Sequence, residues 1–318
     1  MSKTEEYLRG NGGEKPIIST DVAVIGLGPA GATAAVYARR AGLDAVVLEG
    51  GAPGGQVSST GAIDNVPGFE SIEGWELAMK LEAQVKRSGA KIVYKKVTNA
   101  ILDEKTKLIV TDKSLITAKA VIICAGAKRR TLGLPNERKL TGRGVSYCAV
   151  CDGSFYKNKQ VAVVGGGETA VSDAIYLSNL AEKVTIIHRR DAFRASKSKL
   201  EALAARGNIE VILNENVAEL SETDNKLSSI TLASGKEIPV DGLFVAIGLE
   251  PDSTLFKGQI QTTENGYIVT DDKMRTSLKN VYAAGDIREK SLRQIVTAAA
   301  DGAIAAVTAA DEIQETAQ

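Results

Sequence analysis

The sequence is short of the residues that most often carry chemistry. It holds one histidine and three cysteines in 318 residues. A single histidine, His188, leaves no His-based triad and no histidine-rich metal site. It also removes the commonest general base from consideration. Three cysteines, an odd number with one close pair, do not make a secreted disulfide framework. An excess of one charge is missing too. Lys plus Arg and Asp plus Glu both total 39, so no net field draws the chain to nucleic acid or to an anionic membrane. The best membrane candidate, uncharged Val22–Ala38, contains three glycines and a proline. It falls short of the roughly 20 apolar residues that span a bilayer. The opening MSKTEEYLRGNGGEKP mixes both charges and has no signal-peptide core. With 44% hydrophobic and 25% charged residues, the chain reads as an ordinary globular protein. It is long enough for about two domains and is placed by default in the cytoplasm.

Glycine is plentiful, at 31 residues, and its placement is informative. In DVAVIGLGPAGATAAVYARRAGLDAVVLEG a short apolar run, Val22–Ile25, leads into Gly26-Leu27-Gly28-Pro29-Ala30-Gly31. A helix of good formers, Ala32–Arg40, follows, and then a second apolar run that ends at Glu49. This is the grammar of a dinucleotide fingerprint. Gly26 makes the turn, Gly28 lets backbone approach a pyrophosphate, and Gly31 lets helix and strand pack. Pro29 and Ala30 complete the turn, and a phosphate would rest at the N-terminus of the helix that follows, where free N–H groups favour an anion. Glu49, 18 residues past Gly31, is placed to take ribose hydroxyls.

The grammar returns in KQVAVVGGGETAVSDAIYLSNLAEKVTIIHRR. Strand Val161–Val164 leads into Gly165-Gly166-Gly167-Glu168-Thr169-Ala170, then a helix and strand Val184–Ile187. Alanine in the third glycine position is allowed. This second strand ends not in an acid but in His188-Arg189-Arg190, with Arg194 following. Arginines in that place suit a 2′-phosphate and predict NADPH over NADH. The plain alternative is that they are solvated surface arginines. Two fingerprints imply two cofactors, or a cofactor and a substrate. A duplicated scaffold with one dead site is the alternative, although neither turn is degraded.

Cys148 and Cys151 lie in CAVCDG, ten residues before Val161. A CxxC pair is the smallest unit of thiol–disulfide exchange. A zinc site would need two more ligands nearby, and the sequence offers none. Two inert buried cysteines are the other reading. Asp152 is the only carboxylate next to the pair, so it is the natural acid/base for the thiols. As a bland alternative it forms a turn before Gly153. Cys124 ends the apolar run Ala120–Ile123 and is expected to be a buried, structural thiol.

From Ile17 to about Ile313 the chain resembles the low-molecular-weight, bacterial-type thioredoxin reductases. The resemblance rests on the two fingerprints, GGQ at Gly54–Gln56, IDNVPGF at Ile63–Phe69 and ICAGAKRRTLGLP at Ile123–Pro135. It rests also on CAVCDG, HRRDAFRA at His188–Ala195, FVAIGLEPD at Phe244–Asp252, VYAAGD at Val281–Asp286 and LRQIVTAAADGAIAA near the end. The discriminating mark is CxxCDG beside the second fingerprint. In the larger glutathione-reductase-like enzymes the pair follows the first, whereas here no cysteine follows it until Cys124.

The resemblance implies an α/β fold of two three-layer Rossmann-like domains, the second inserted into the first. Residues 1–127 and 249–318 would bind FAD, with 1–15 a polar extension. Residues 128–248 would bind NADPH and carry the CxxC. Further FAD contacts would come from Glu49–Gln56 (including Gly50, Gly54 and Gly55), Asn65, Ala125, Gly126, Gly285, Asp286, Arg293, Gln294 and Ile295. Gly165, Gly167, Glu168, Thr169, His188, Arg189, Arg190 and Arg194 would hold NADPH. The resemblance also implies a homodimer acting on thioredoxin. Cys151 would face the flavin and Cys148 would attack the protein disulfide. The inserted domain would rotate between half-reactions on crossings near Ala127–Arg130 and Gly248–Pro251.

Glu168 and Ser172-Asp173 depart from the family pattern, and Glu168 is expected to put a negative charge near a pyrophosphate. Competing readings are a flavoprotein of the same build serving a peroxidase, a dithiol oxidase, and a non-catalytic redox sensor.

Overall fold

The computed structural model describes residues 4, 6–7, 15–102 and 106–315. Most of the polar N-terminal extension lies outside the described residues. The chain forms two compact units, one from 1–128 with 250–318 and one from 129–249.

In the first unit a parallel sheet runs Lys91–Val93, Ala45–Leu48, Ile17–Ile25, Leu115–Ile123. Leu115–Ile123 is shared along its length. Its early residues pair antiparallel with Lys107–Thr111, and its last three pair in parallel with Val281–Ala283. The first strand begins at Ile17 rather than Val22 because Ile17–Thr20 pair with Leu115–Ala118. Alternation sorts the strand between two cores. Val22 and Val24 face the helical layer, while Ala23 and Ile25 face the layer with Ile109 and Phe256.

The helical layer is built from small residues. Helix Pro29–Arg40 buries Ala30, Gly31, Ala32, Ala34, Ala35 and Ala38, and it packs on the C-terminal helix Ile295–Glu315. A Cβ on Gly302 would overlap the Ala30 carbonyl, so the two helices touch backbone to backbone there.

The second unit has a parallel sheet in the order Val145–Ser146, Gly242–Val245, Gln160–Val164, Lys183–His188, Ile209–Leu213. Helices Glu168–Ser178 and Lys197–Ala204 pack on one face around Val163, Val171 and Ile186. On the other face lies a three-stranded antiparallel sheet, Val217–Thr223, Lys226–Leu232 and Glu237–Pro239. Its Leu220, Ile230 and Leu232 close the core over Ala162 and Ile187. Each unit thus has three layers. Among the described residues no helix is long and apolar enough to cross a membrane.

Candidate functional site

In the first unit the strand ends at Gly26, whose φ is +103°. A Cβ on Gly26 would overlap the Cys124 carbonyl, and one on Gly31 would overlap the Gly26 carbonyl. Gly28 is different. Only the Gly54 carbonyl comes within 4 Å of where its Cβ would be, at 3.8 Å. Two glycines are therefore demanded by packing, and one leaves space for a ligand. The helix starts at Pro29, three residues before the expected Ala32. It has no side-chain cap and no acid in its first turn, so its free N–H groups suit a phosphate.

Glu49 accepts the Leu27 N–H at 2.8 Å through one oxygen and the Gly51 N–H at 2.7 Å through the other. A carboxylate has about four lone-pair sites, so it retains capacity for ribose hydroxyls. Gly54 N–H donates to the Leu27 carbonyl at 2.7 Å, tying the Gly54–Gln56 segment to the turn. Residues distant in sequence meet here. Gln56 Nε2 donates to Asp286 Oδ2 at 3.3 Å, and Asn65 Nδ2 donates to Gln294 Oε1 at 3.1 Å. Arg293 lies 4.2 Å over the Tyr267 ring, next to Gln294 and the helix start at Ile295. Ala125 and Gly126 follow the shared strand, and Gly50 lies against Lys96.

One residue in this unit escaped the sequence reading. Buried Asp301 accepts the Gly285 N–H at 3.0 Å, Lys290 Nζ at 2.7 Å and Arg288 at 3.3 Å. It fixes the turn that carries Asp286. Its only signal is a lone acid on the apolar face of an alanine-rich helix.

Cys124 is buried. Desolvation, then the nearby Asp301 charge, push its thiol far above the ordinary range. A thiol that cannot ionise is no nucleophile. Cys124→Ala is expected to keep most of the disulfide-reductase turnover that the resemblance implies, measured by NADPH oxidation. Loss of turnover with flavin still bound would contradict this.

The second turn repeats the design of the first. A Cβ on Gly165 would overlap the Ala246 carbonyl, while Gly167 faces open space. The helix again starts without a side-chain cap. Gly166 is closed by the ring of His188. That ring is buried and stacks on Phe193 at 5.6 Å. Burial, then Arg190 and Arg194, hold its imidazole below the usual range. Arg189 and Arg190 are exposed at the strand end. Arg194 is also exposed, and its backbone N–H donates to the Gly166 carbonyl at 2.7 Å. The arginine loop is thus pinned to the glycine turn.

Glu168 does not present an unbalanced charge. Its carboxylate accepts the Ser196 N–H at 2.8 Å and the Ser196 hydroxyl at 2.9 Å, and Lys199 Nζ lies at 3.3 Å. Ser196, first through its backbone and then through its side chain, holds the carboxyl below the usual range with Lys199. Exposed Thr169 follows it.

Asp173, one residue past the helix's Ser172, behaves oppositely. Burial pushes its carboxyl up to about 7 against the pull of Lys199. The folded state then keeps a proton that the unfolded chain releases near pH 4. Stability from this group is present below that value and is lost as pH rises to about 7. Asp173→Asn is expected to exceed wild type by on the order of a few kcal/mol at pH 8 and to match it at pH 4. The check is calorimetric Tm at both values, and a difference independent of pH would contradict the assignment.

Cys148 and Cys151 form a disulfide, with Cα atoms 5.3 Å apart. The pair spans a one-turn helix, Ala149–Asp152, and Cys148 Sγ accepts the Cys151 N–H at 3.2 Å. That helix is mounted on the nucleotide helix. Ala149 packs with Ala170, Val171 and Ala174, and a Cβ on Gly153 would lie 3.0 Å from Tyr176 and 3.1 Å from Leu177. Asp152 is bonded to buried Ser146, whose hydroxyl donates to Oδ2 at 2.6 Å. Among the described residues no group of three or more His, Cys, Asp or Glu is placed to hold a metal.

The second unit therefore joins a phosphate turn, an arginine loop and a redox pair, and the first joins a phosphate turn to an acid and an amide cluster. Residues 20–302 match the pyridine nucleotide-disulphide oxidoreductase family. The thioredoxin reductase of Bacillus subtilis (strain 168) is 46% identical over 305 residues, covering 93% of this chain and 96% of the relative. The thioredoxin reductase of Listeria innocua serovar 6a is 45% identical, at 93% and 94% coverage. The crystal structure of thioredoxin reductase from Streptococcus pyogenes is 41% identical, covers 93% and 99%, and superposes with a TM-score of 0.87.

Proposed function

This chain belongs to the pyridine nucleotide-disulphide oxidoreductase family, among its thioredoxin reductases, and on that footing we propose how its residues divide the work. The reaction carries two electrons from NADPH through FAD to the Cys148–Cys151 disulfide and on to a disulfide of thioredoxin. The observation that carries this reading is the mounting of the disulfide helix on the helix of a complete nucleotide turn.

FAD fits the first unit. The open space at Gly28, the uncapped helix after it, Glu49 and the Gln56–Asp286 pair would hold its pyrophosphate, ribose and ribityl parts. NADPH fits the second unit, with its pyrophosphate at Gly167 and its 2′-phosphate at Arg189, Arg190 and Arg194. When bound, the flavin supplies the hydride and thiol redox chemistry that no side chain can perform.

The protein's own groups handle sulfur and protons. Two electrons and two protons open the disulfide to a dithiol. Cys148, as thiolate, attacks one sulfur of the substrate disulfide, and the other sulfur leaves and takes a proton. Cys151 then attacks Cys148 and frees the second substrate sulfur, which restores the enzyme disulfide. The Cys151 N–H at 3.2 Å favours negative charge on Cys148. Asp152 takes up the proton that a thiol loses and returns it to the departing one. Exposed Val150, between the two cysteines, and exposed Phe155, four residues past Cys151, offer apolar surface to a protein substrate.

Nicotinamide and thiols belong to the same unit, and each must reach one flavin ring within roughly 3–3.5 Å. They cannot do so together, so the second unit turns between half-reactions on the passages at 128–129 and 249–250. Gly126 and Gly248, with φ of 70° and 104°, adjoin those passages.

The functional chain is a homodimer in the cytoplasm. The stripe Val296, Ala300, Ile304 and Val307 on the last helix is exposed and apolar, which supports association. Light scattering should give about twice the 33.4 kDa chain mass. The deciding assay is NADPH oxidation with several thioredoxins, with glutathione disulfide and with no acceptor. Turnover with a thioredoxin alone supports the function, and turnover without any acceptor, or none at all, would overturn it.

A further inference from the structure

We propose that Ser146 is a positioning residue for the thiol chemistry, its hydroxyl fixing Asp152 against the Cys148 backbone in both protonation states of the acid. The proposal rests on the reading of Asp152 as acid/base.

Ser146 ends a two-residue strand held by pairing with Gly242–Val245, Ser146 opposite Phe244. It is 4% exposed. Its Oγ touches three polar atoms. It lies 2.6 Å from Asp152 Oδ2, 3.1 Å from the Cys148 N and 3.4 Å from the Cys148 carbonyl oxygen. A hydroxyl has one proton and two acceptor lone pairs. When Asp152 is a carboxylate, Ser146 donates to it and accepts the Cys148 N–H. When Asp152 holds a proton, it donates into the free lone pair of Ser146, whose own proton turns to the Cys148 carbonyl. The Cys148 N–H stays bonded throughout. No heavy atom moves, and no buried group is stranded, which would cost about 1–3 kcal/mol. The Ser146 proton never leaves its oxygen, so the net transfer is between Asp152 and a thiol.

Tyr156 links Asp152 to two further charged groups, Asp241 and Lys159. Tyr156, in the 3₁₀ turn Gly153–Tyr156, is pushed up to about 12 by burial, then by Asp152 and Asp241. It remains a neutral phenol near neutral pH. Asp241 bonds the Gln160 N–H at 3.0 Å. Lys159 lies 5.6 Å over the Tyr156 ring.

The test uses flavin-loaded Ser146→Ala, Ser146→Thr, Asp152→Asn and the Ala/Asn double variant. Ser146→Ala is expected to lower kcat for thioredoxin reduction about tenfold. KM for thioredoxin and the stopped-flow rate of flavin bleaching by NADPH should stay as in wild type. Ser146→Thr should regain most of the loss, and Ser146→Ala should add nothing to Asp152→Asn. A slow Asp152→Asn beside a Ser146→Ala at wild-type rate would overturn the Ser146 inference alone. Full additivity in the double variant, or an equal loss in flavin bleaching, would reduce Ser146 to a structural part. A wild-type rate in Asp152→Asn would sink the Asp152 reading, and the inference with it.

Discussion

Cys148→Ser and Cys151→Ser are expected to lose thioredoxin turnover alike, by roughly a thousandfold or more, and to differ in colour. Neither variant can close the disulfide through which every cycle passes. Cys148→Ser keeps Cys151, the thiol assigned to the flavin side, and should show a thiolate–flavin charge-transfer band. Cys151→Ser should lack that band. It keeps Cys148 with the backbone N–H of residue 151 still directed at its sulfur. The Cys148 thiolate can therefore still attack thioredoxin, and with no resolving partner it should hold a mixed disulfide visible by mass. The reverse pattern of band and adduct would invert the two roles.

Neutralising Arg189 and Arg190 together should raise KM for NADPH by about a hundredfold or more and leave KM for NADH nearly unchanged. Each charge-assisted contact to a phosphate contributes about 1.5–3 kcal/mol, less where solvent screens it, and both side chains are exposed. The effect should be selective because the backbone of the same loop, through Arg194 N–H and the Gly166 carbonyl, keeps the glycine turn in place. In the proposed binding mode that turn would serve both nucleotides alike. An equal rise for NADPH and NADH would show that the two guanidinium groups are only surface charge.

What could be read from the chain was local. A fingerprint fits in some thirty consecutive residues, and its three glycines state their own spacing, so the strand–turn–helix course of both turns was legible. The thiol pair was legible for the same reason. Ser146 was not, because its value lies in which lone pair it offers to residues two and six positions on. No periodicity marks that. Asp301 was missed because its partners, Gly285, Arg288 and Lys290, come from a loop that only the fold brings to it. The Gln56–Asp286 bond joins residues 230 positions apart. The first four residues of strand Ile17–Ile25 include Ser19 and Thr20, so polarity hid a pairing set by the neighbouring strand. Glu168 looked harmful only because Ser196 and Lys199, which engage its charge, lie about thirty residues on.

The division of the chain also dictates an order of birth. Residues 129–249 are contiguous, so the second unit can close while synthesis continues. The first unit cannot. Its sheet waits for Val281–Ala283 and its alanine layer for Ile295–Glu315. Roughly seventy residues, or about 4–14 s at 5–20 residues per second, separate the two events. During that interval the strand Leu115–Ile123 lacks its partner Val281–Ala283, and the helix Pro29–Arg40 lacks the last helix on which it packs. The nascent chain is therefore most exposed to misassembly in its oldest part, and a truncation that spares every thiol and every arginine but removes the last helix should yield an aggregate rather than a weakened enzyme.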